Sequence, residues 1–160
     1  MTENHAEMPD GFVWPSLEDE DLEGRVFANL SREEQQVVAR YCNFTQCPSG
    51  HVVLEEGAHN DALYIVLDGV IRIVDSSGPI REIGPGGYFG EMAMFNGRTR
   101  LASAVSRGAC RLATMSADSF KELMSADNSL GLVLLRDMSA TLSKKLMEIY
   151  EKQGNCIEGL

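Results

Sequence analysis

The sequence predicts a mainly β domain with flanking α-helices, built as a sandwich or barrel. Three observations predict it. Between Val52 and Met115 the apolar residues fall in short runs, separated at regular spacing by turns rich in Gly, Pro, Asp and Ser. Helix-start patterns flank this region: Ser31-Arg32-Glu33-Glu34 before it, Ser116-Ala117-Asp118-Ser119 and Asp127-Asn128-Ser129 after it. A chain of 160 residues, 44% hydrophobic, makes one domain with a single core.

Taken in order, residues 1–24 read as an acidic, flexible arm, on which Phe12, Val13 and Trp14 are the side chains able to dock on the domain. The cluster Glu18-Asp19-Glu20-Asp21 reads as a solvated helix start, with a partner-binding tail as the alternative. The folded domain is assigned to residues 25–152 and a tail to 153–160. With Leu30 ahead of it, the box at Ser31 opens a helix to about Tyr41 that buries Val37, Val38 and Tyr41. Pro48-Ser49-Gly50 breaks the chain.

Val52-Val53-Leu54 is then a strand. Ala62–Leu67 is the clearest strand, with Leu63, Ile65 and Leu67 on one face and Tyr64 and Val66 on the other. Asp68-Gly69 is a hairpin signal from which Val70–Val74 returns. Ser76-Ser77-Gly78-Pro79 turns again into a strand at Ile80–Ile83. Leu101–Ser106 and Cys110–Met115 are expected to pair antiparallel around Arg107-Gly108. A short helix follows through Met124. The last helix, about Leu130–Lys152, begins apolar nearly all round (Leu130, Leu132, Val133, Leu134, Leu135) and thins to a seam of Met138, Leu142, Leu146 and Ile149.

Composition excludes several functions. The net charge is −10, but the first twenty-three residues hold eight acids and no Lys or Arg, leaving sixteen acids against fourteen bases. Neither a basic nucleic-acid footprint nor a polybasic membrane patch is present. No apolar run reaches spanning length and no cationic leader precedes one, so a cytoplasmic location is expected. Cys42, Cys47, Cys110 and Cys156 carry no disulfide framework in such a setting. The Cys42-x4-Cys47 pair lacks the close third ligand of an iron–sulfur site, and small-apolar packing is the better reading.

Gly84-Pro85-Gly86-Gly87-Tyr88-Phe89-Gly90-Glu91-Met92-Ala93, followed by Arg100-Leu101-Ala102, carries the chemistry. Glycines let backbone come close to a ligand, and successive N–H groups in such a turn or at a short helix start form an anion-binding concavity. An arginine fork matches a phosphate, while an ionised glutamate accepts from a donor such as a ribose hydroxyl. The bland alternatives are a strand-edge salt bridge for Arg100, a helix cap for Glu91, ordinary turns for Gly84, Gly86 and Gly87, and solvation for Arg98.

The pattern Phe89-Gly90-Glu91-Met92-Ala93 with Arg100-Leu101-Ala102 resembles the phosphate-binding cassette of the cyclic nucleotide-binding domain. That family includes bacterial catabolite activators, kinase regulatory subunits and gated ion channels. The resemblance spans roughly Phe27 to Tyr150. It implies a jelly-roll β-barrel with an N-terminal helix and two C-terminal helices. Glu91 is implied to take the ribose 2′-hydroxyl and Arg100 the cyclic phosphate. Backbone N–H groups near Gly90, Glu91, Met92 and Ala93, and at Leu101 or Ala102, complete the cradle. Leu101 lacks the hydroxyl that cGMP-selective relatives often carry there, which favours cAMP, with cGMP as runner-up. Aligning the final helix through Lys144-Lys145-Leu146 places Ile149 and Tyr150 where that helix meets the purine in the family; Tyr150 offers a ring to stack on a base.

A sensor without catalytic residues is therefore expected, with no metal. No helix-turn-helix or kinase follows in this sequence, so the signal is expected to leave through the C-terminal helix, to a protein partner or a second copy of the chain, and not to nucleic acid or membrane. Two other classes remain. One is an interaction module that has lost its ligand. The other is a cupin-type enzyme, for which His5, His51 and His59 give no His-x-His pair, and Gly90 stands where the second cupin motif needs its histidine.

Overall fold

A computed structural model describes residues 29–152 together with Phe12, Trp14, Pro15 and Phe27. The acid cluster at residues 18–21, Val13, Cys156 and the proposed tail lie outside the described residues.

Helix α1 (Arg32–Ala39) starts with the expected reciprocal cap: Ser31 Oγ accepts from the Glu34 amide (3.2 Å) and Glu34 Oε2 from the Ser31 amide (2.7 Å). It ends two residues before Tyr41, burying Val38 and Ala39, with Val37 and Tyr41 half-buried. Trp14 is buried against it. The indole stacks on Phe27 at 4.7 Å and donates to the Gln35 carbonyl (2.9 Å), and Phe12 packs edge-on between Trp14 and Phe44. Docking, the alternative kept for these two aromatics, is the arrangement described.

The strands are β1 (Asn43–Cys47), β2 (Val52–Leu54), β3 (Leu63–Asp75), β4 (Gly78–Ile83), β5 (Tyr88–Phe89) and β6 (Ser103–Met115). The short helix α2 (Glu91–Asn96) interrupts them, and α3 (Ala117–Ala126) and α4 (Asn128–Lys152) follow. All pairings are antiparallel. The long strands β3 and β6 pair along their whole length, from Leu63↔Met115 to Val74↔Ser103. One half of this ribbon carries β1 on β6 and β5 on β3; the other half carries β2 on β6 and β4 on β3. The six strands form a jelly roll whose sheet is not closed.

Two hairpins expected from sequence are therefore absent. Asp68-Gly69 and Arg107-Gly108 are not turns but the facing irregularities at which β3 and β6 bend together. Their glycines, at φ 83° and 88°, mimic a hairpin signal, because a bulge and a turn need the same left-handed backbone. Gly69 has a second reason to be glycine. A Cβ there would lie 2.6 Å from the Ala109 carbonyl oxygen and 2.7 Å from the Cys110 Cβ. Gly69→Ala is expected to cost about 2 kcal/mol or more, from crowding and backbone strain together. Gly84→Ala, where a Cβ meets nothing within 4 Å, should stay within about 0.5 kcal/mol of wild type. Urea unfolding of the two variants checks this; equal midpoints would show that the bend tolerates a side chain. Strand β1 is also new relative to the sequence. Asn-Phe-Thr-Gln-Cys does not alternate cleanly, and its state is decided by non-local pairing with the end of β6.

The expected two-faced strand is present. Leu63, Ile65 and Leu67 enter one apolar cluster with Phe44, Met115, Phe120, Leu123, Leu130, Leu134 and Met138, which joins sheet to helices. Tyr64 and Val66 enter a second cluster inside the roll with Cys47, Leu54, Ile71, Ile83, Phe89, Cys110 and Leu112. Asp127 Oδ1 accepts from the Leu130 amide (2.9 Å) at the start of α4. That helix is less buried than its apolar start suggests. Leu130, Gly131 and Leu134 are buried, while Leu132 is 56% exposed. The seam leaves the domain after Met138: Leu142 is half-buried, and Leu146 and Ile149 are exposed.

Candidate functional site

A cleft of about 230 Å³ opens against the roll. Gly90, Glu91, Met92, Ala93, Arg100, Leu101 and Ala102 all line it, so the structure brings the seven cassette residues together. Met92 and Leu101 are exposed, and Ala93 is buried. Ile149 and Tyr150 are not among its lining residues; they are 53% and 40% exposed on the far end of α4. Arg98 lines the cleft from an exposed position.

Arg100 is 5% exposed, so its guanidinium must find partners within the protein. Nη1 donates to the Gly90 carbonyl (2.6 Å); Nη2 donates to the Ala62 carbonyl (2.7 Å) and to Asn60 Oδ1 (2.8 Å). Nε is buried with no partner among the described residues. Burial lowers the pKa of the group, and the nearby Tyr64, Glu91 and Asp61 oppose that shift. Asn60 is a positioning residue that sequence reading missed. Besides accepting from Arg100, it accepts from the Ala62 amide (2.9 Å) and donates to Tyr64 Oη (2.9 Å). Its only sequence signal is a place in the polar loop His59-Asn60-Asp61, which does not distinguish it from a turn residue.

Gly90 sits at φ 87°, and a Cβ there would lie 2.7 Å from Arg100 Nη1 and 2.8 Å from the Ala62 oxygen. The turn can close over the arginine only because this residue is glycine. Gly90 is also the N-cap of α2, and no side chain caps that first turn. Glu91 follows, 4% exposed. Its Oε1 accepts from Lys145 Nζ of α4 at 2.9 Å, and its Oε2 carries no bond to the protein among the described residues. Lys145 also lies 5.3 Å from the ring centre of Tyr88, whose phenol burial pushes up to about 12. Lys145 was likewise missed as a site residue, although it stands in the stretch that aligns the last helix.

The cleft thus pairs a buried guanidinium with a spare donor and a buried carboxylate with a spare acceptor. That donor set fits a ligand carrying an anion and a neighbouring hydroxyl. The model for the cyclic nucleotide-binding domain matches residues 44–127, more than half of the sequence.

The chain belongs to the cyclic nucleotide-binding domain family. It is 30% identical over 101 residues to the cAMP-dependent protein kinase regulatory subunit of Aspergillus fumigatus, a match covering 62% of this chain and 24% of that protein. The chain therefore spans about a quarter of the length of the first curated relatives it matches. Among solved structures, a cyclic nucleotide-binding domain from Methylobacillus flagellatus superimposes with a TM-score of 0.71 at 26% identity, covering 84% of this chain and 79% of that one. The regulatory domain of Toxoplasma gondii PKA, crystallised with cAMP, gives a TM-score of 0.60 at 26% identity, covering 74% of this chain and 46% of that one.

His51 and His59, weighed for a cupin site, line a second cavity with Cys47 and Asp61. Among the described residues no group of three or more His, Cys, Asp or Glu is placed to hold a metal ion, and no helix is long and apolar enough to cross a membrane. Cys42, Cys47 and Cys110 are free thiols; burial pushes Cys42 and Cys110 up to about 12.

Proposed function

We propose that this domain is a cytoplasmic sensor of a cyclic purine nucleotide, with cAMP as its ligand, and that it regulates without catalysing a reaction. The observation that carries the proposal is that Arg100 and Glu91 are both buried, both line one cleft, and each keeps a hydrogen-bonding atom without a partner among the described residues, Nε and Oε2. In this reading Arg100 holds the cyclic phosphate, backbone N–H groups from Gly90 to Ala93 and at Leu101 or Ala102 share it, and Glu91 accepts the ribose 2′-hydroxyl. The cAMP assignment rests on Leu101 and on the cAMP-dependent relatives. The runner-up ligand is cGMP.

The signal leaves through α4. Leu146, Met147, Ile149 and Tyr150 are exposed apolar side chains on its last turns, and Met92, Phe95 and Leu101 are exposed on the cassette. Closure of α4 toward the cleft would bring Ile149 and Tyr150 to a bound purine. The same stripe suits a protein partner or a second copy of this chain.

Calorimetric titration of the 160-residue chain with cAMP and then cGMP tests the function. Saturable binding at one site per chain is expected. Absence of binding by either nucleotide would leave the interaction-module reading in its place.

A further inference from the structure

Cys47 and Cys110 stand directly opposite one another where β1 pairs antiparallel with β6. Side chains of opposite residues lie on the same face of a sheet. Here that face is the inside of the roll: both cysteines belong to its apolar cluster, 5% and 3% exposed. Two free thiols that are distant in sequence are thus held in contact. The register also suits a covalent bond. Opposite residues of an antiparallel pair have Cα atoms about 4.5 or 5.5 Å apart, and a disulfide spans Cα separations of roughly 4.4–6.8 Å. Neither strand has to slide along the other for the sulfurs to join.

The two thiols are not equivalent. Burial pushes both up, but a hydrogen bond with Cys110 opposes that rise at Cys47, whereas Cys47 adds to it at Cys110. Cys47 also lines the second cavity, of about 460 Å³, together with the exposed His51, His59 and Asp61; Cys110 does not line it. A small oxidant therefore reaches Cys47 first, with Cys110 behind it. Cys42 is a contrast. It lies outside the strands, and its thiol donates to the Val38 carbonyl (3.5 Å).

We propose that Cys47 and Cys110 form a reversible oxidation site, at which a hydroperoxide converts the facing thiols into a disulfide that ties β1 to β6. The Cys47 thiolate attacks a peroxide oxygen. The O–O bond breaks, and the departing hydroxide takes up the proton that Cys47 released and leaves as water. The Cys110 sulfur then attacks the Cys47 sulfenic acid. The S–S bond forms, the S–O bond breaks, and hydroxide leaves with the Cys110 proton as a second water. The two thiols together lose two electrons and the peroxide gains them. A dithiol reductant restores both thiols and is itself oxidised. In a reducing compartment such as the cytoplasm proposed above, a bond of this kind is transient, so the pair responds to oxidant and is not a permanent staple. Every residue lining the cassette cleft lies between the two cysteines in sequence, so the bond closes a loop that carries the whole cleft. The oxidation site itself does not depend on the cyclic-nucleotide reading.

The test exposes the folded 160-residue chain to hydrogen peroxide, blocks the remaining thiols and maps the cysteines by peptide mass spectrometry. Burial keeps both thiols largely protonated at neutral pH, so the reaction is expected to be slow. A linked Cys47–Cys110 peptide is expected, lost again on adding dithiothreitol, and its yield should be unchanged in Cys42→Ser. Cys110→Ser should stop the reaction at the Cys47 sulfenic acid, which dimedone traps. Cys47→Ser should abolish the linked peptide and leave Cys110 unlabelled by dimedone. The oxidised chain should melt at a higher temperature than the reduced one, because the bond restricts the unfolded chain. The wild-type map and melting curves stand even where a serine variant fails to fold. No linked peptide from the folded chain, a linked peptide only after unfolding in urea, or a lower melting temperature on oxidation overturns the proposal. Dimedone on Cys110 in place of Cys47 overturns the order of attack.

Discussion

Replacing Arg100 with alanine is expected to weaken cAMP binding by about 2–4 kcal/mol, roughly 30-fold to 1,000-fold. The size follows from burial. An exposed arginine facing a phosphate contributes little, because water solvates both partners. Arg100 is 5% exposed, and in this reading its Nε donor is left for the ligand. Without it, a desolvated phosphate would face the Ala62 carbonyl, which has lost its Arg100 donor, and the Gly90 carbonyl, which keeps only the Met94 amide at 3.4 Å. The loss of those bonds also makes the variant less stable, so binding must be compared at a temperature where melting curves show both proteins folded. Arg100→Lys separates the two effects. It keeps the charge and one flexible donor group, and should bind more weakly than wild type but better than alanine. Glu91→Gln should cost less than either, because an amide oxygen still accepts a hydroxyl. Unchanged affinity in Arg100→Ala would remove the phosphate assignment.

What the sequence made legible divides by range of interaction. The cassette was legible because its requirements are local: glycine for the turn at Gly90, then a carboxylate at Glu91 and a guanidinium at Arg100 within one short stretch of sequence. The faces of the strand at Leu63–Leu67 were legible because strand alternation is also local. Asn60 and Lys145 were not, since they reach Arg100 and Glu91 across 40 and 54 residues of sequence. The false hairpins have the same origin. Asp68-Gly69 has the composition of a turn, and only the continuous pairing of β3 with β6 turns it into a bend. The exposed side of α4 illustrates a further limit: a run such as Leu130–Leu135 does not reveal which of its faces the domain will cover, and Leu132 falls on the uncovered one.

Removing Lys145 is expected to free the second half of α4 and to uncouple it from the ligand. The helix has few other tethers beyond Met138, since Leu146, Met147, Ile149 and Tyr150 are exposed. Lys145 itself is 20% exposed and Glu91 5% at the side chain, so their 2.9 Å bond is poorly screened. Lys145→Ala leaves a buried carboxylate without its cation, a change expected to cost about 3 kcal/mol. The carboxylate can escape part of that penalty by drawing in water as the helix lifts, which is why the loss should appear first as local opening of α4. Ligand and helix would share Glu91 through different oxygens, Lys145 on Oε1 and the ribose hydroxyl on Oε2. Each fixes the carboxylate for the other, so binding and helix docking should reinforce one another without new contacts. By linkage, the factor by which docking improves affinity equals the factor by which ligand improves docking. Hydrogen exchange over residues 138–152 reads both. In wild type, cAMP should slow exchange there. In Lys145→Ala, exchange should be faster without ligand, and the slowing on adding cAMP should shrink. Tyr150→Ala should reduce cAMP affinity if α4 closes far enough to bring that ring over the base. Identical protection in wild type and Lys145→Ala, with and without cAMP, would show that the cassette is filled without α4 taking part, and the route for the signal would then have to start elsewhere on the roll.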